Sequence, residues 1–128
     1  MGISMNEILT QEKSIYLQIS EMIENDILRD ILLEEERVPS TNELAALYAI
    51  NPATAAKGIN LLVDRAILYK KRGIGMFVCS GAKEKIRQHR REEFYQRYFK
   101  TMMEEARSLG ISGDDLIRMI HDEENKNS

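Results

Sequence analysis

The chain has 128 residues, of which 43% are hydrophobic and 30% are charged, with a formal net charge of −3. No apolar run reaches the roughly 20 residues that cross a bilayer and no secretory leader is recognisable, so we expect a cytoplasmic protein. The single cysteine excludes an internal disulfide and a multi-thiolate metal site within one chain, and we interpret Cys79 as a packing residue.

The first predicted helix begins at about Ile15. Apolar residues at positions 15, 19, 22, 23 and 27 recur at helical spacing, and residues 1–12 carry little pattern. The acidic run 34–36 and the sequence Arg37-Val38-Pro39 then predict that no helix continues through this stretch.

The second predicted helix carries a capping signature at its start. Ser40 is followed three residues later by Glu43, the spacing of a capping box. We therefore predict a helix from about Thr41 to Tyr48 that buries Leu44 and Leu47.

A third helix is predicted to begin only a few residues after the second ends. Asn51 is a preferred N-cap residue and Pro52 suits the first helical position. Two helices joined so closely must cross. Gly58 lies inside the third helix at a cost of about 1 kcal/mol, which indicates close packing against another element. The predicted inner stripe of the third helix consists of Ala55, Ile59, Leu62 and Ala66.

Beyond Arg65 the pattern indicates two short strands and a basic, glycine-rich turn. Residues 67–72 and 76–79 flank Gly73-Ile74-Gly75, which predicts a β-hairpin. Residues 51–80 contain five Lys or Arg and one Asp, a net charge of +4, against −7 for residues 1–50. Because cations act on phosphates locally, the overall negative charge does not exclude nucleic-acid binding.

The remainder is predicted to be helical. Residues 82–108 are spaced as one long amphipathic helix that stops at Gly110, and Ser112 opens a second, shorter helix. From Asp122 onward the sequence is polar, and we expect it to be disordered.

These elements predict a mostly α fold with a small β wing. We assign residues 1–80 to a winged helix-turn-helix DNA-binding domain and residues 81–128 to a C-terminal helical dimerisation segment with a polar tail. The apolar stripe of this segment is too large to leave exposed, and a second copy of the chain is the simplest cover. The predicted dimerisation residues are Phe94, Tyr95, Tyr98, Phe99, Met102, Met103, Leu116, Ile117 and Ile120.

In a helix-turn-helix the second helix of the pair enters the major groove with its amino-terminal residues against the bases. Asn51, Thr54 and Lys57 then face DNA, although Asn51 could serve only as a cap. The wing adds Lys70 and Arg72, which alternation puts on one face.

Other functions find less support. His89 and His121 stand apart from companion ligands or a nucleophile, so we expect neither an enzyme nor a cofactor. A winged-helix module whose basic surface meets an acidic protein is the alternative to DNA binding. An apolar effector near Tyr95, Tyr98 and Met102 is a further possibility.

Four separated motifs resemble the DNA-binding domain of the GntR family of bacterial transcription regulators, over roughly residues 10–79. The short helical remainder and the Asn-Pro start of the third helix look like the YtrA-like subfamily. The motifs are Ser14-Ile15-Tyr16-Leu17-Gln18-Ile19, residues 37–45 (RVPSTNELA), Asn51-Pro52-Ala53-Thr54 and residues 72–78 (RGIGMFV).

The resemblance implies a homodimeric regulator, usually a repressor, which binds an operator in double-stranded DNA. Some relatives carry arginine at the positions of Asn42, Pro52 and Ala56, so the operator should differ. Many have glycine at the position of Ala66, a harmless change if that residue stays helical. By resemblance, the DNA-contacting positions are Ser40, Thr41, Asn42, Asn51, Ala53, Thr54, Lys57, Arg72 and Gly73.

Overall fold

The structure, a computed structural model, describes the backbone of residues 5–127 and the side chains of residues 15–127. It forms two compact units, the first ending at Gln88 and the second beginning at His89. The elements in chain order are α1 (Met5–Leu28), β1 (Arg37–Val38), α2 (Thr41–Tyr48), α3 (Pro52–Asp64), β2 (Leu68–Lys71), β3 (Gly75–Val78), α4 (Ala82–Phe94), a π-helical segment (Tyr95–Phe99), α5 (Lys100–Ser108) and α6 (Gly113–Lys126).

The mostly helical fold with a small β wing is confirmed. In the first unit α1 and α2 both pack on α3, and their apolar stripes meet the sheet in one core. Ile27, Ile59, Leu62 and Val78 are each at most 2% exposed. The start predicted for α1 is wrong, because the helix begins at Met5 rather than near Ile15.

The starts of α2 and α3 follow their caps. The Ser40 hydroxyl accepts a hydrogen bond from the backbone N–H of Glu43 at 3.1 Å, and the Asn51 side-chain oxygen accepts one from the N–H of Ala53 at 2.8 Å. Each bond satisfies a donor that has no partner inside its helix. Both predicted starts are confirmed.

The wing has one strand more than the sequence pattern indicated. Its antiparallel order is β1-β3-β2, with Arg37 opposite Phe77 and Tyr69 opposite the same Phe77 on the other side. From the sequence, Arg37 and Val38 were predicted only as part of a break, because a two-residue strand is too short to show alternation. Val38 is 1% exposed and belongs to the core.

Two predicted burials are wrong. Leu47 is 70% exposed, and the buried neighbours on α2 are Leu44 and Ala45. Ala66 does not continue the stripe of α3: the helix ends at Asp64, and Ala66 is exposed with φ +59°. An eight-residue helix such as α2 buries only a narrow face, and Leu47 lies outside it. Ala66 lies beyond the end of α3 and therefore does not belong to the buried face of that helix.

The second unit is helical, with two departures from expectation. The predicted long helix contains a π-helical segment, in which the backbone N–H of Lys100 donates to the carbonyl of Tyr95. Residues 122–126, expected to be disordered, belong to α6. Gly110 (φ +70°) follows the end of α5, and Ser112 and Asp115 form the capping box of α6. Within residues 5–127 no helix is long and apolar enough to cross a membrane.

Candidate nucleic-acid interface

The amino terminus of α3 is exposed and the rest of that helix holds the core. Asn51 and Ala53 are exposed, Thr54 is half-buried, and Ala55 is fully buried. The Asn51 side-chain oxygen is committed to capping Ala53. Its amide NH2 carries two further donors, so capping and a contact with DNA are compatible.

Lys57 lies one turn further along α3, beside α1. Its Nζ lies 4.2 Å from the centre of the Tyr16 ring, a distance at which an ammonium is attracted to the aromatic face. Lys57 and Tyr16 also line a groove of about 490 Å³ with Ala53 and Asn60. Tyr16 was not among the predicted site residues, because only the packing of α1 on α3 brings it to this groove.

That packing depends on Gly58. A Cβ at Gly58 would lie 2.7 Å from the backbone oxygen of Tyr16 and 3.2 Å from the side chain of Ile19. The close approach predicted from a glycine inside the helix is confirmed, and α1 is the element that approaches.

The amino terminus of α2 is a second exposed helix start. Ser40 and Thr41 are half-buried and Asn42 is exposed. The neighbouring Glu43 is ionised more readily than usual. Its pKa is lowered by hydrogen bonding to Ser40 and, to a smaller extent, by the Arg37 guanidinium.

The wing presents Lys70, Arg72 and Gly73, all exposed. Gly73 has φ +77° with open space where a Cβ would lie, so its role is to allow the turn. Lys71 lies on the other face of β2 from Lys70, and its Nζ lies 4.4 Å from the centre of the Phe77 ring. The predicted basic surface of the wing is therefore carried by Lys70 and Arg72.

Arg37 is a further cation at this surface, and it was not among the predicted site residues. Its guanidinium lies 3.2 Å from a Glu43 carboxylate oxygen, and its Nε lies 2.9 Å from the position of a Cβ on Gly75. Arg37 and Glu43 are six residues apart, a spacing that signals nothing in sequence. Only β1 and the first turn of α2 together make them a pair.

The predicted dimerisation residues lie in the second unit and are mostly exposed. Phe94 and Tyr98 form one ring pair with centres 5.8 Å apart, and Tyr95 and Phe99 a stacked pair 5.4 Å apart. Met102 is 39% exposed, and Met103 and Leu116 are half-buried. The remaining two, Ile117 and Ile120, are each 52% exposed.

The two histidines each lie beside a glutamate of their own helix. His89 pairs with Glu93 at 2.9 Å and His121 with Glu124 at 3.7 Å, each within one helix. Burial raises the pKa of the Cys79 thiol, in keeping with a packing role. Among the residues whose side chains are described, no three His, Cys, Asp or Glu lie close enough to hold a metal ion.

Comparison with known proteins agrees with this geometry. The profile of the bacterial regulatory proteins of the gntR family matches residues 15–78, half of the chain. A solved GntR-family transcriptional regulator from Bacteroides thetaiotaomicron is 36% identical, with a TM-score of 0.78 over 89% of this chain and 99% of that one.

Two regulators of Bacillus subtilis are similar in sequence. The helix-turn-helix regulator YhcF is 25% identical over 84% of this chain and 88% of its own length. The transcriptional repressor YtrA is 32% identical over 54% of this chain, which spans about half of that protein (53%). The chain therefore belongs to the gntR family of bacterial regulatory proteins, and it is a DNA-binding transcription regulator, not an enzyme.

Proposed function

We propose that this regulator is a cytoplasmic repressor that binds a palindromic operator as a homodimer. The observation that carries the proposal is the exposed amino terminus of α3 on a helix whose other face is fixed in the core. A helix held in this way can enter a major groove without reordering, so little of the binding free energy is spent on ordering the protein.

In the proposed complex, Asn51, Ala53 and Thr54 meet base edges. Ser40, Thr41 and Asn42 bind a phosphate at the start of α2, where free backbone N–H groups point outward. Lys57, Lys70 and Arg72 neutralise phosphates. Gly73 lets the wing backbone approach the duplex.

The exposed aromatic residues of the second unit support dimerisation. Phe94 is 61% exposed and Tyr98 is 56% exposed, and apolar surface of this kind is rarely left to water. Segments of π-helix occur often at functional sites. In our proposal the dimerisation segment, residues 81–128 with Met103 and Leu116 included, pairs with its copy, and the DNA-binding domain ends at residue 80. An apolar effector near Tyr95, Tyr98 and Met102 remains a prediction.

DNA binding is tested by selecting duplexes from a random library with the wild-type chain and measuring their affinity at several salt concentrations. We expect symmetric half-sites about one helical turn apart, or a multiple of that. Arg72→Ala and Lys57→Ala should weaken binding to all duplexes. Each should reduce the slope of log K against log salt by about 1.8, that is about 0.9 for each subunit of the dimer. Asn51→Ala should also change the selected bases.

Lys71→Ala is the matched control for Arg72→Ala, because Lys71 is adjacent in the chain and has the same charge but lies on the face of β2 opposite to Lys70, over the Phe77 ring. It should change the slope less. An Arg72→Ala variant with unchanged affinity and slope removes the wing from the mechanism. Tight binding to an acidic protein, without selection of any duplex, would favour the protein-interaction alternative.

Dimerisation is tested by sedimentation of Tyr98→Asp against Gln96→Asp. Both substitutions add one charge to the π-helical segment, but only Tyr98 belongs to the aromatic pairs. We expect Tyr98→Asp to be monomeric and Gln96→Asp to remain dimeric. Repression itself is measured as loss of transcript in vitro from a promoter that carries the selected duplex.

A further inference from the structure

We propose that Arg37 is a positioning residue for DNA binding, which holds the tip of the wing in a fixed place relative to the amino terminus of α2. The inference rests on the proposed function, since it concerns how two of the proposed DNA-facing elements are kept in register. Three observations on different elements support it.

The first observation is the place of Arg37 in the sheet. It lies in β1, opposite Phe77 of the central strand β3, and its side chain runs along the same face toward the glycine-rich end of that strand. This end carries the turn with Gly73. The guanidinium therefore lies between the wing tip and the helix that follows β1.

The second observation is the approach of Arg37 to Gly75. The Arg37 Nε lies 2.9 Å from where a Cβ on Gly75 would be, and its Cγ and Cδ are both 3.7 Å away. Cβ atoms essentially never have a neighbour at the shorter distance, so a side chain at residue 75 would displace the flexible end of Arg37. Gly75 thus provides the space through which the arginine side chain passes, in addition to its φ of +145°.

The third observation is where the guanidinium ends. It donates to Glu43, the third residue of α2, whose backbone N–H is bound by the capping Ser40. The side chains of Arg37 and Glu43 are 49% and 55% exposed, so the pair is accessible to solvent and contributes little to overall stability. Because the pair lies between two elements that face DNA in our proposal, its main effect is expected on DNA binding rather than on folding.

A double-mutant cycle in DNA binding tests the proposal, with Arg37→Gln, Glu43→Gln and both together. The probe is a duplex selected by the wild-type chain, and a shuffled duplex is the control. If the wild-type chain selects no duplex, the proposed function fails. If it does, the cycle tests Arg37 alone.

We expect Arg37→Gln to weaken binding about twofold to fivefold for each subunit of the dimer, the range of an exposed ion pair, without changing the salt slope. Glu43→Gln removes a negative charge beside DNA and by simple electrostatics should tighten binding. In our proposal it does so only when Arg37 is already replaced. The affinity change caused by Glu43→Gln should be less favourable in the wild-type background than in the Arg37→Gln background, by about twofold to fivefold for each subunit.

Two results would overturn the inference. If Glu43→Gln tightens binding more in the wild-type background, and Arg37→Gln lowers the salt slope by about 0.9 for each subunit of the dimer, Arg37 contacts a phosphate directly. If Glu43→Gln acts equally in both backgrounds, the pair does not affect binding. Thermal unfolding of each variant checks folding, and Arg37→Met, which keeps the aliphatic stem over Gly75, replaces Arg37→Gln if the latter folds poorly.

Discussion

Ala66→Gly should stabilise the protein, although glycine is usually a poor exchange for alanine. Ala66 follows the end of α3 with φ +59°, a left-handed conformation that costs a residue with a Cβ about 1–2 kcal/mol. The N–H of Ala66 donates to the carbonyl of Val63, and the N–H of Ile67 donates to that of Leu62. This pair of bonds is the Schellman motif, whose left-handed position favours glycine.

The net gain is smaller than the strain because glycine also has more freedom in the unfolded chain. That freedom costs about 0.4–1 kcal/mol, so we expect Ala66→Gly to raise the free energy of unfolding by about 1 kcal/mol. The backbone bonds and the contact of buried Ile67 with the core stay the same. The sequence predicted a harmless alanine only if residue 66 stayed helical, and this condition is not met, because α3 ends at Asp64.

The measurement is urea unfolding followed by circular dichroism at one protein concentration. Ala56→Gly is the matched control: Ala56 lies inside α3, where glycine costs about 1 kcal/mol relative to alanine. The two identical exchanges should therefore shift the midpoint in opposite directions at an unchanged m-value. A midpoint that falls for Ala66→Gly as it does for Ala56→Gly would refute the left-handed assignment.

Three further predictions follow from the packing and the caps. Gly58→Ala should lower the free energy of unfolding, as measured in urea. Overpacking against the Tyr16 carbonyl costs about 1–3 kcal/mol, which exceeds the gain of roughly 1 kcal/mol in helix propensity. Leu44→Ala should lower the free energy of unfolding by about 2–5 kcal/mol, because Leu44 is buried. Leu47→Ala should change it by less than about 0.5 kcal/mol, because Leu47 is exposed. Equal urea midpoints for the two variants would contradict this order. The pKa of Asp115 is lowered by its hydrogen bonds to the capping Ser112. Its stabilisation of α6 is therefore complete above the unfolded value near 3.8 and is lost as the pH falls through the folded pKa. By circular dichroism, Asp115→Asn should reduce helicity at pH 7, and its difference from the wild-type chain should shrink as the pH falls below 3.8.

The sequence predicted those parts of the fold that depend on local chemistry. Caps at Ser40, Asn51 and Ser112 locate helix starts because the side chain and the amide that it satisfies lie within three residues of each other. The hairpin follows from two apolar runs about a glycine-rich turn. Gly58 indicated a close approach because a glycine inside a helix has a cost that packing must offset.

The parts that depend on distant contacts were not predictable. A two-residue strand such as β1 forms only because β3 lies beside it. Leu47 looks like a core residue in the stripe of α2, yet none of the elements described in the first unit covers it. For the site, the residue types at helix starts and wing could be read locally, but Tyr16 beside Lys57 and Arg37 beside Glu43 exist only in the folded chain.

The same packing that holds α3 also arranges the side of the helix that we propose faces DNA. Gly58 allows the carbonyl of Tyr16 to approach α3, and this approach brings the Tyr16 ring to 4.2 Å from the Lys57 ammonium. A side chain at residue 58 would therefore separate the ring from the ammonium as well as strain the core. Because the ammonium already lies over the ring, Lys57 would lose less conformational freedom in the phosphate contact that we propose for it. The buried face of α3 sets the position of the helix, and the same packing fixes the Lys57 side chain on its outer face.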